Sequence, residues 1–251
     1  MKANLASRRV QTVAYRHRSA NPKDENFVSK VYYNSRLEET IATLEQKSRA
    51  DFSYWNLVDD DMSTIVTRVV NGKQCTELDF CGNKFTCKGI SILAYRLPNN
   101  STLKSLDLSY NFLRDSGIYL LSEVLLPEHC VYLRKLVLNK NGITNDGVKY
   151  IATMLKSNHM LTELWLSNNE IGNDGIKQLA NVLIKYNRTL KLLVLSFNVF
   201  ITDESADYLV EVLERNQTLV KLGINNCNLS EIGKAKLRQI VNTKTKFKMK
   251  I

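Results

Sequence analysis

Between Cys75 and Leu229 the phrase LxxLxLxxNxL is written six times, and the interval between copies is nearly constant. The fourth position of each copy falls at Leu78, Leu106, Leu136, Leu164, Leu193 and Leu222, in steps of 28, 30, 28, 29 and 29 residues. A unit of that size cannot bury an apolar face alone, so the units must stack on one another. Stacking produces a solenoid with a long continuous surface, a form used mainly to hold other proteins.

Within each copy the apolar residues at positions one, four and six, as in Leu161, Leu164 and Leu166, alternate with polar ones. That period of two marks a short strand with one face inward. Only a few residues per copy can pair, and successive copies run the same way, so the predicted sheet is parallel. Position nine is asparagine at Asn83, Asn111, Asn141, Asn169 and Asn198. There the chain turns inward, and a stacked amide can partner backbone groups that would otherwise be buried alone. Cys227 takes this place in the sixth copy, where a small side chain with a weak S–H donor fits the same ladder.

After each strand the spacing changes to that of a helix. Gly147, Val148, Ile151, Ala152 and Leu155 form one apolar stripe, and Gly175, Ile176, Leu179, Ala180 and Leu183 form the next. Small alanines at Ala94, Ala152 and Ala180 allow close packing on the sheet, while Asp115, Asp146 and Asp174 fall where a helix N-terminus favours negative charge. Asparagines at Asn100, Asn158, Asn187 and Asn216 recur three residues before the next copy. They are expected to close each helix in a left-handed backbone conformation. Three of them, Asn100, Asn187 and Asn216, also begin N-glycosylation triplets, which are read here as repeat punctuation.

These units resemble the ribonuclease-inhibitor-like class of leucine-rich repeats, over roughly residues 50 to 251. The stretches "LVLNKNGI" with "NDGVKYIATML", and "LWLSNNEI" with "NDGIKQLANVL", are most similar to the repeats of NOD-like receptors, including the class named for its CARD-containing relatives. The resemblance implies a horseshoe-like α/β solenoid, with parallel strands on its concave face and helices on its convex face. It also implies a role in recognition. No GxxxxGK[ST] stretch occurs, so the nucleotide-driven oligomerisation of that family does not carry over.

Stepping 28 residues back from Leu78 reaches Ala50, with Phe52 and Leu57 matching Phe80 and Phe85, a degenerate further repeat in which Trp55 replaces the asparagine. Asp59, Asp60 and Asp61 then mark the start of its helix; they lack the spaced pattern of a calcium loop. A stripe of Leu37, Ile41 and Leu44 is expected to cap one end. At the other, Phe247, Met249 and Ile251 alternate with Lys246, Lys248 and Lys250, the pattern of a lysine-protected edge strand. Residues 1–34 are expected to form a basic, flexible segment, and 35–251 one repeat domain of about seven units with terminal caps. The first 23 residues hold six basic side chains and no acid. That composition suits a basic tail better than a mitochondrial leader, because apolar periodicity is poor.

The formal charge is +10, yet residues 51–230 hold 18 basic and 19 acidic side chains, so the excess lies at the ends. A dedicated nucleic-acid binder would carry a basic stripe along the solenoid. No apolar run approaches the roughly 20 residues needed to span a membrane. Five cysteines, an odd number set inside the repeats, fit a reducing compartment, and the expected location is cytoplasmic. His17, His129 and His159 stand in no catalytic motif, and Cys75, Cys81 and Cys87 lack the pairing of a zinc site. No catalytic residue, cofactor, metal or small-molecule substrate is therefore expected.

Position five of successive copies points outward and reads Asp79, Asp107, Val137, Trp165, Val194 and Gly223. Neighbouring columns add Tyr110, Leu192 and Phe197, with Lys135, Lys140 and Lys221 around them. An apolar aromatic centre with a polar rim is how protein-binding patches are composed. The expected function is a non-catalytic, intracellular sensing or regulatory scaffold that binds a protein partner through Tyr110, Lys135, Val137, Lys140, Trp165, Leu192, Val194 and Phe197. The alternative is a GTPase-activating protein resembling the Ran GTPase activators, which use similar repeats.

Overall fold

The computed structural model describes residues 8–12, 30–98, 100–129, 131–244 and 247–251. They divide into two units, Met1–Glu45 and Gln46–Ile251. In the first, strand β1 (Arg8–Thr12) pairs antiparallel with β2 (Lys30–Asn34), and helix α1 (Ser35–Thr43) follows at once. Asn34 caps that helix by accepting the N–H of Leu37 at 3.2 Å. Leu37 and Ile41, one turn apart, are buried. The expected flexible tail and the leader reading fall largely on residues 1–7 and 13–29, which lie outside the described residues, as do His17, Cys130 and Lys246.

The second unit contains an eight-stranded parallel sheet in chain order. Its strands are β3 (Arg49–Asp51), β4 (Glu77–Asp79), β5 (Ser105–Asp107), β6 (Lys135–Val137), β7 (Glu163–Trp165), β8 (Leu192–Val194), β9 (Lys221–Gly223) and β10 (Lys248–Lys250). Each is three residues long, and its central residue stacks in register on the next: Ala50, Leu78, Leu106, Leu136, Leu164, Leu193, Leu222 and Met249. Two residues further on, Phe52, Phe80, Leu108, Leu138, Leu166, Leu195 and Ile224 form a second buried column. At the β3 end this column is aromatic, with Phe80 packed edge-on against Phe85 at 5.0 Å between ring centroids.

Helices cover the inward face: α2 (Asp61–Ile65), α3 (Cys87–Arg96), α4 (Arg114–Val124), α5 (Asn145–Ser157), α6 (Asn173–Lys185), α7 (Ala206–Arg215) and α8 (Glu231–Asn242). α2 runs on into π-helical turns over Val66–Gly72, which bury Val66, Val69 and Val70. The stripes read from spacing are the buried ones, with Val148, Ile151, Ala152 and Leu155 inward in α5 and Ile176, Leu179, Ala180 and Leu183 inward in α6. Deleting any of these leucines would remove roughly 2–5 kcal/mol of burial and packing.

Hydrogen bonds tie the stack together at three levels. At the strand ends Asn111 Nδ2 donates to the carbonyls of Phe80 at 2.9 Å and Leu108 at 3.0 Å, while its Oδ1 accepts the N–H of Phe85 at 3.0 Å. Asn83, Asn169 and Asn198 make the same kind of bridge between adjacent repeats, and Asn141 reaches back to the Leu108 carbonyl. Cys227 contributes weaker bonds: its Sγ donates to the Leu195 carbonyl at 3.4 Å, and the backbone of Asn198 and Phe197 donates to the sulfur. A sulfur is a weaker acceptor than an amide oxygen, and the N–H of Ile201 turns to the carbonyl of Asn198 within its own loop, at 3.1 Å.

At the helix ends the structure corrects one expectation. Asn158 and Asn216 have extended backbones, with φ of −73° and −81°, and neither Asn100 nor Asn187 has a positive φ. They form a second ladder instead. Asn216 Nδ2 donates to the Leu183 carbonyl at 2.6 Å, and its Oδ1 accepts the N–H groups of Thr218 and Leu219. Asn187 is fully buried and Asn216 is 3% exposed, so in the folded chain neither is open to glycosylation. The physical reason is topological: the turn into the next strand lies inside the stack, where the open carbonyls of the preceding helix need donors.

The third level was not foreseen. Asp115 accepts both the N–H and the hydroxyl of Thr144 in the following repeat, at 2.9 and 2.7 Å, and Asp59 holds Thr86 likewise at 2.8 and 2.6 Å. Thr144 then caps α5 through the N–H of Asp146. Asp146 and Asp174 stay exposed in the first turns of their helices.

Candidate functional site

The outward face of the sheet is built by register. Position five runs Asp51, Asp79, Asp107, Val137, Trp165, Val194, Gly223 and Lys250 across adjacent strands. The column therefore passes from carboxylates through an apolar centre to a lysine. Trp165 lies between Val137 and Val194 on neighbouring strands. Its ring is half-buried, and Lys135 Nζ stands 5.8 Å from the ring centroid. The indole Nε1 has no hydrogen-bond partner among the described residues. Val137 is only 5% exposed, so it supports the surface from beneath rather than presenting area, a correction to its expected contact role. Its strand neighbours are Asp107 and the larger Trp165.

Tyr110 and Phe197 are exposed at 46% and 50% for a common backbone reason. Both immediately precede a ladder asparagine, and there the chain takes a left-handed conformation: φ is 55° at Tyr110 and 62° at Phe197, as also at Gly82, Lys140, Asn168 and Asn226. This turn is imposed by the inward bend of the loop, and large side chains occupy it although it is sterically unfavourable for them. Lys140 Nζ lies 5.4 Å from the Tyr110 ring.

A depression of about 560 Å³ opens on this face. Trp165, Leu192, Val194 and Phe197 line it; Tyr110, Lys135, Val137 and Lys140 do not. Gly223 forms part of the floor, beside Val194, and Lys221, Lys248 and Lys250 stand around it with Glu163 as the one lining carboxylate. Val199 and Phe200, each 57% exposed, follow Phe197 in the β8–α7 loop and extend the apolar character there. Sequence reasoning missed them. The signal was an extra residue: Asn169 precedes the helix position of Gly175 by six, whereas Asn198 precedes its counterpart Ser205 by seven.

At the acidic end each carboxylate is engaged locally. Asp51, Asp79 and Asp107 accept the N–H two residues on, from Ser53, Cys81 and Ser109, and Arg49 bridges Asp51 and Asp79 at 3.2 and 3.0 Å. Burial pushes the Asp107 carboxyl above its ordinary value, with the Asp79 charge adding to it. Hydrogen bonds from Ser53 hold Asp51 below its ordinary value. No group of three or more His, Cys, Asp or Glu placed to hold a metal ion occurs among the described residues. Among them, too, no helix is long and apolar enough to cross a membrane.

Known proteins match this arrangement. A family model described as Leucine Rich repeat matches residues 99–122, 129–152, 157–180 and 186–210. NACHT, LRR and PYD domains-containing protein 4C of Mus musculus is 35% identical over 159 residues, covering 63% of this chain and 16% of that protein. Protein 14 of the same designation from Homo sapiens is 35% identical over 161 residues, covering 64% of this chain and 14% of that one. The chain thus spans only about a sixth or less of these relatives. Among solved structures, leiomodin-1 actin-binding site 2 aligns at 18% identity with a TM-score of 0.43, over 73% of this chain and 87% of that one. The tropomodulin C-terminal domain of Caenorhabditis elegans aligns at 13% identity and 0.48, over 61% and 91%. With its stacked parallel strands, asparagine ladder and these sequence matches, the chain carries leucine-rich repeats that are similar to those of the NACHT, LRR and PYD domains-containing proteins.

Proposed function

We propose that the chain is a non-catalytic protein-interaction module that binds a protein partner on the concave, strand-bearing face of its repeats. The observation that carries this reading is the solvent-open apolar hollow lined by Trp165, Leu192, Val194 and Phe197 and set among Lys221, Lys248 and Lys250. Buried aromatic anchors within a polar rim supply most of the binding energy in protein interfaces. The repeat-bearing NACHT, LRR and PYD relatives support a sensing or regulatory scaffold inside the cell. No observation among the described residues favours the GTPase-activator alternative.

The test is a pull-down from cytosolic extract with the intact chain, Trp165→Ala, and the convex-face control Tyr150→Ala, each first shown to be folded by circular dichroism. Loss of a partner with Trp165→Ala alone supports the reading. Loss with Tyr150→Ala alone moves binding to the helices and sinks it.

A further inference from the structure

One residue that lines the hollow has no side chain. Every other repeat from β3 to β8 places a side chain at position five, but β9 places Gly223 there, between Val194 of β8 and Lys250 of β10. A Cβ at Gly223 would lie 2.9 Å from Val194 Cγ1, so Val194 leans over the space that a side chain would fill. The result is an apolar floor of Leu222, Val194 and Leu192 with Trp165 as a wall.

The chemistry around that floor is one-sided. Lys221 and Lys248 are register partners on β9 and β10, and Lys250 pairs with Gly223 itself. All three lysines are exposed and line the hollow, against the single carboxylate of Glu163. Ser167, Ser196 and Asn225 supply the remaining polar wall, with Ser196 donating to Asn225 Oδ1 at 2.6 Å. At the opposite end of the same face stand Asp51, Asp79, Asp107 and Glu77. From the Asp107 strand to the Lys221 strand there are four strand spacings, about 19 Å. An acidic segment is therefore drawn to the β9–β10 end and repelled from the β3–β5 end.

We infer that the hollow over Gly223 receives a large apolar side chain of an acidic polypeptide segment, whose carboxylates pair with Lys221, Lys248 and Lys250. The inference rests on the concave-face reading and narrows it to a partner chemistry. The apolar floor favours a polypeptide anchor, and the lysines select its flanks by charge, raising association rate and specificity. Lysine suits this task because its apolar stem can line the hollow while the ammonium stays in water.

The experiment selects a displayed random library of ~20-residue peptides, long enough to cross about 19 Å as a helix with flanks to spare, on the intact chain. Enriched peptides are synthesised with a fluorophore and titrated by anisotropy. The expected sequences carry an aromatic or leucine anchor beside two or more Asp or Glu residues. Lys221→Glu/Lys248→Glu should weaken them at least about tenfold, the size expected for losing close charge pairs, and Gly223→Leu should abolish them. Should Gly223→Leu prove misfolded by circular dichroism, the lysine variant, altered only at exposed positions, decides. Enrichment of basic or uncharged peptides, or no enrichment, overturns the inference. So does a single-stranded oligonucleotide that binds through the same lysines and displaces the peptides. Peptides lost with Trp165→Ala but indifferent to the lysine reversal sink only the acidic-partner inference. Peptides indifferent to both sink the concave-face reading with it.

Discussion

Asp115 holds Thr144 with both carboxylate oxygens, across a gap of 29 residues in sequence and one repeat in space. Gly147 makes room for it: a Cβ there would meet Asp115 Oδ1 at 2.3 Å and Ile143 Cγ2 at 2.7 Å. Gly147→Ala should therefore cost about 1–3 kcal/mol by overpacking. In a urea-denaturation double-mutant cycle, Asp115→Ala should recover part of that loss, because it clears the clash while giving up the bonds to Thr144. Strict additivity of the two changes would show that the glycine and the carboxylate are not coupled.

The ladder should be strong where it is amide and weak where it is thiol. Asn169→Ala leaves the carbonyls of Leu138 and Leu166 and the N–H of Ile143 without their side-chain partner. Several buried groups lose partners at once, so the cost should be roughly 3 kcal/mol. Cys227→Ala removes only weak sulfur bonds and should cost under about 1.5 kcal/mol. Equal losses at the two sites, measured by chemical denaturation, would contradict this ranking.

Asp107 should make the fold sensitive to pH in the reverse of the usual carboxylate sense. Its carboxyl is raised above 3.8 in the folded chain, first by burial. The folded state therefore binds the proton more tightly than the unfolded one, and stability from this group falls as pH rises from near 3.8 through the raised folded value. Asp107→Asn can still accept the N–H of Ser109 but carries no charge. Its thermal midpoint should equal or exceed that of the parent at neutral pH, and the advantage should shrink as pH is lowered below that window. An advantage that grows on acidification would refute the assignment.

Two thiols should be inert. Burial pushes Cys75 up to about 12 and Cys227 up to about 11, so at neutral pH both are almost wholly protonated. The thiolate is the reactive form. Maleimide labelling of the native chain followed by peptide mapping should find both unmodified, and labelling in urea should find both modified. Rapid native labelling of Cys227 would mean that its ladder position opens readily.

The fold was legible because its signal is repeated. A leucine at position four is ambiguous once and decisive six times, and the helical stripes such as Val148, Ile151 and Leu155 follow from the same recurrence. The asparagines of the second ladder show the limit. Asn187 and Asn216 recur as visibly as Asn169, but recurrence does not state a backbone angle; neither takes a positive φ, and their amides reach the Leu155 and Leu183 carbonyls one repeat back. Val137 shows another: alternation sets it outward, whereas its exposure depends on what stands around it, with the ring of Trp165 on the next strand.

The sequence by itself determined the period, the direction of each side chain in a strand, and hence the order in which Asp107, Val137, Trp165, Val194 and Gly223 meet across the sheet. Periodicity carries that information because side chains alternate along a strand and the repeats stack in register. Only the tertiary structure decided which of these residues water reaches. The missing side chain at Gly223 becomes a hollow only once Val194, Trp165 and the β10 lysines are placed around it. Exposure and hydrogen-bond partnership belong to neighbours about 30 residues apart, and no local pattern encodes how much space they leave.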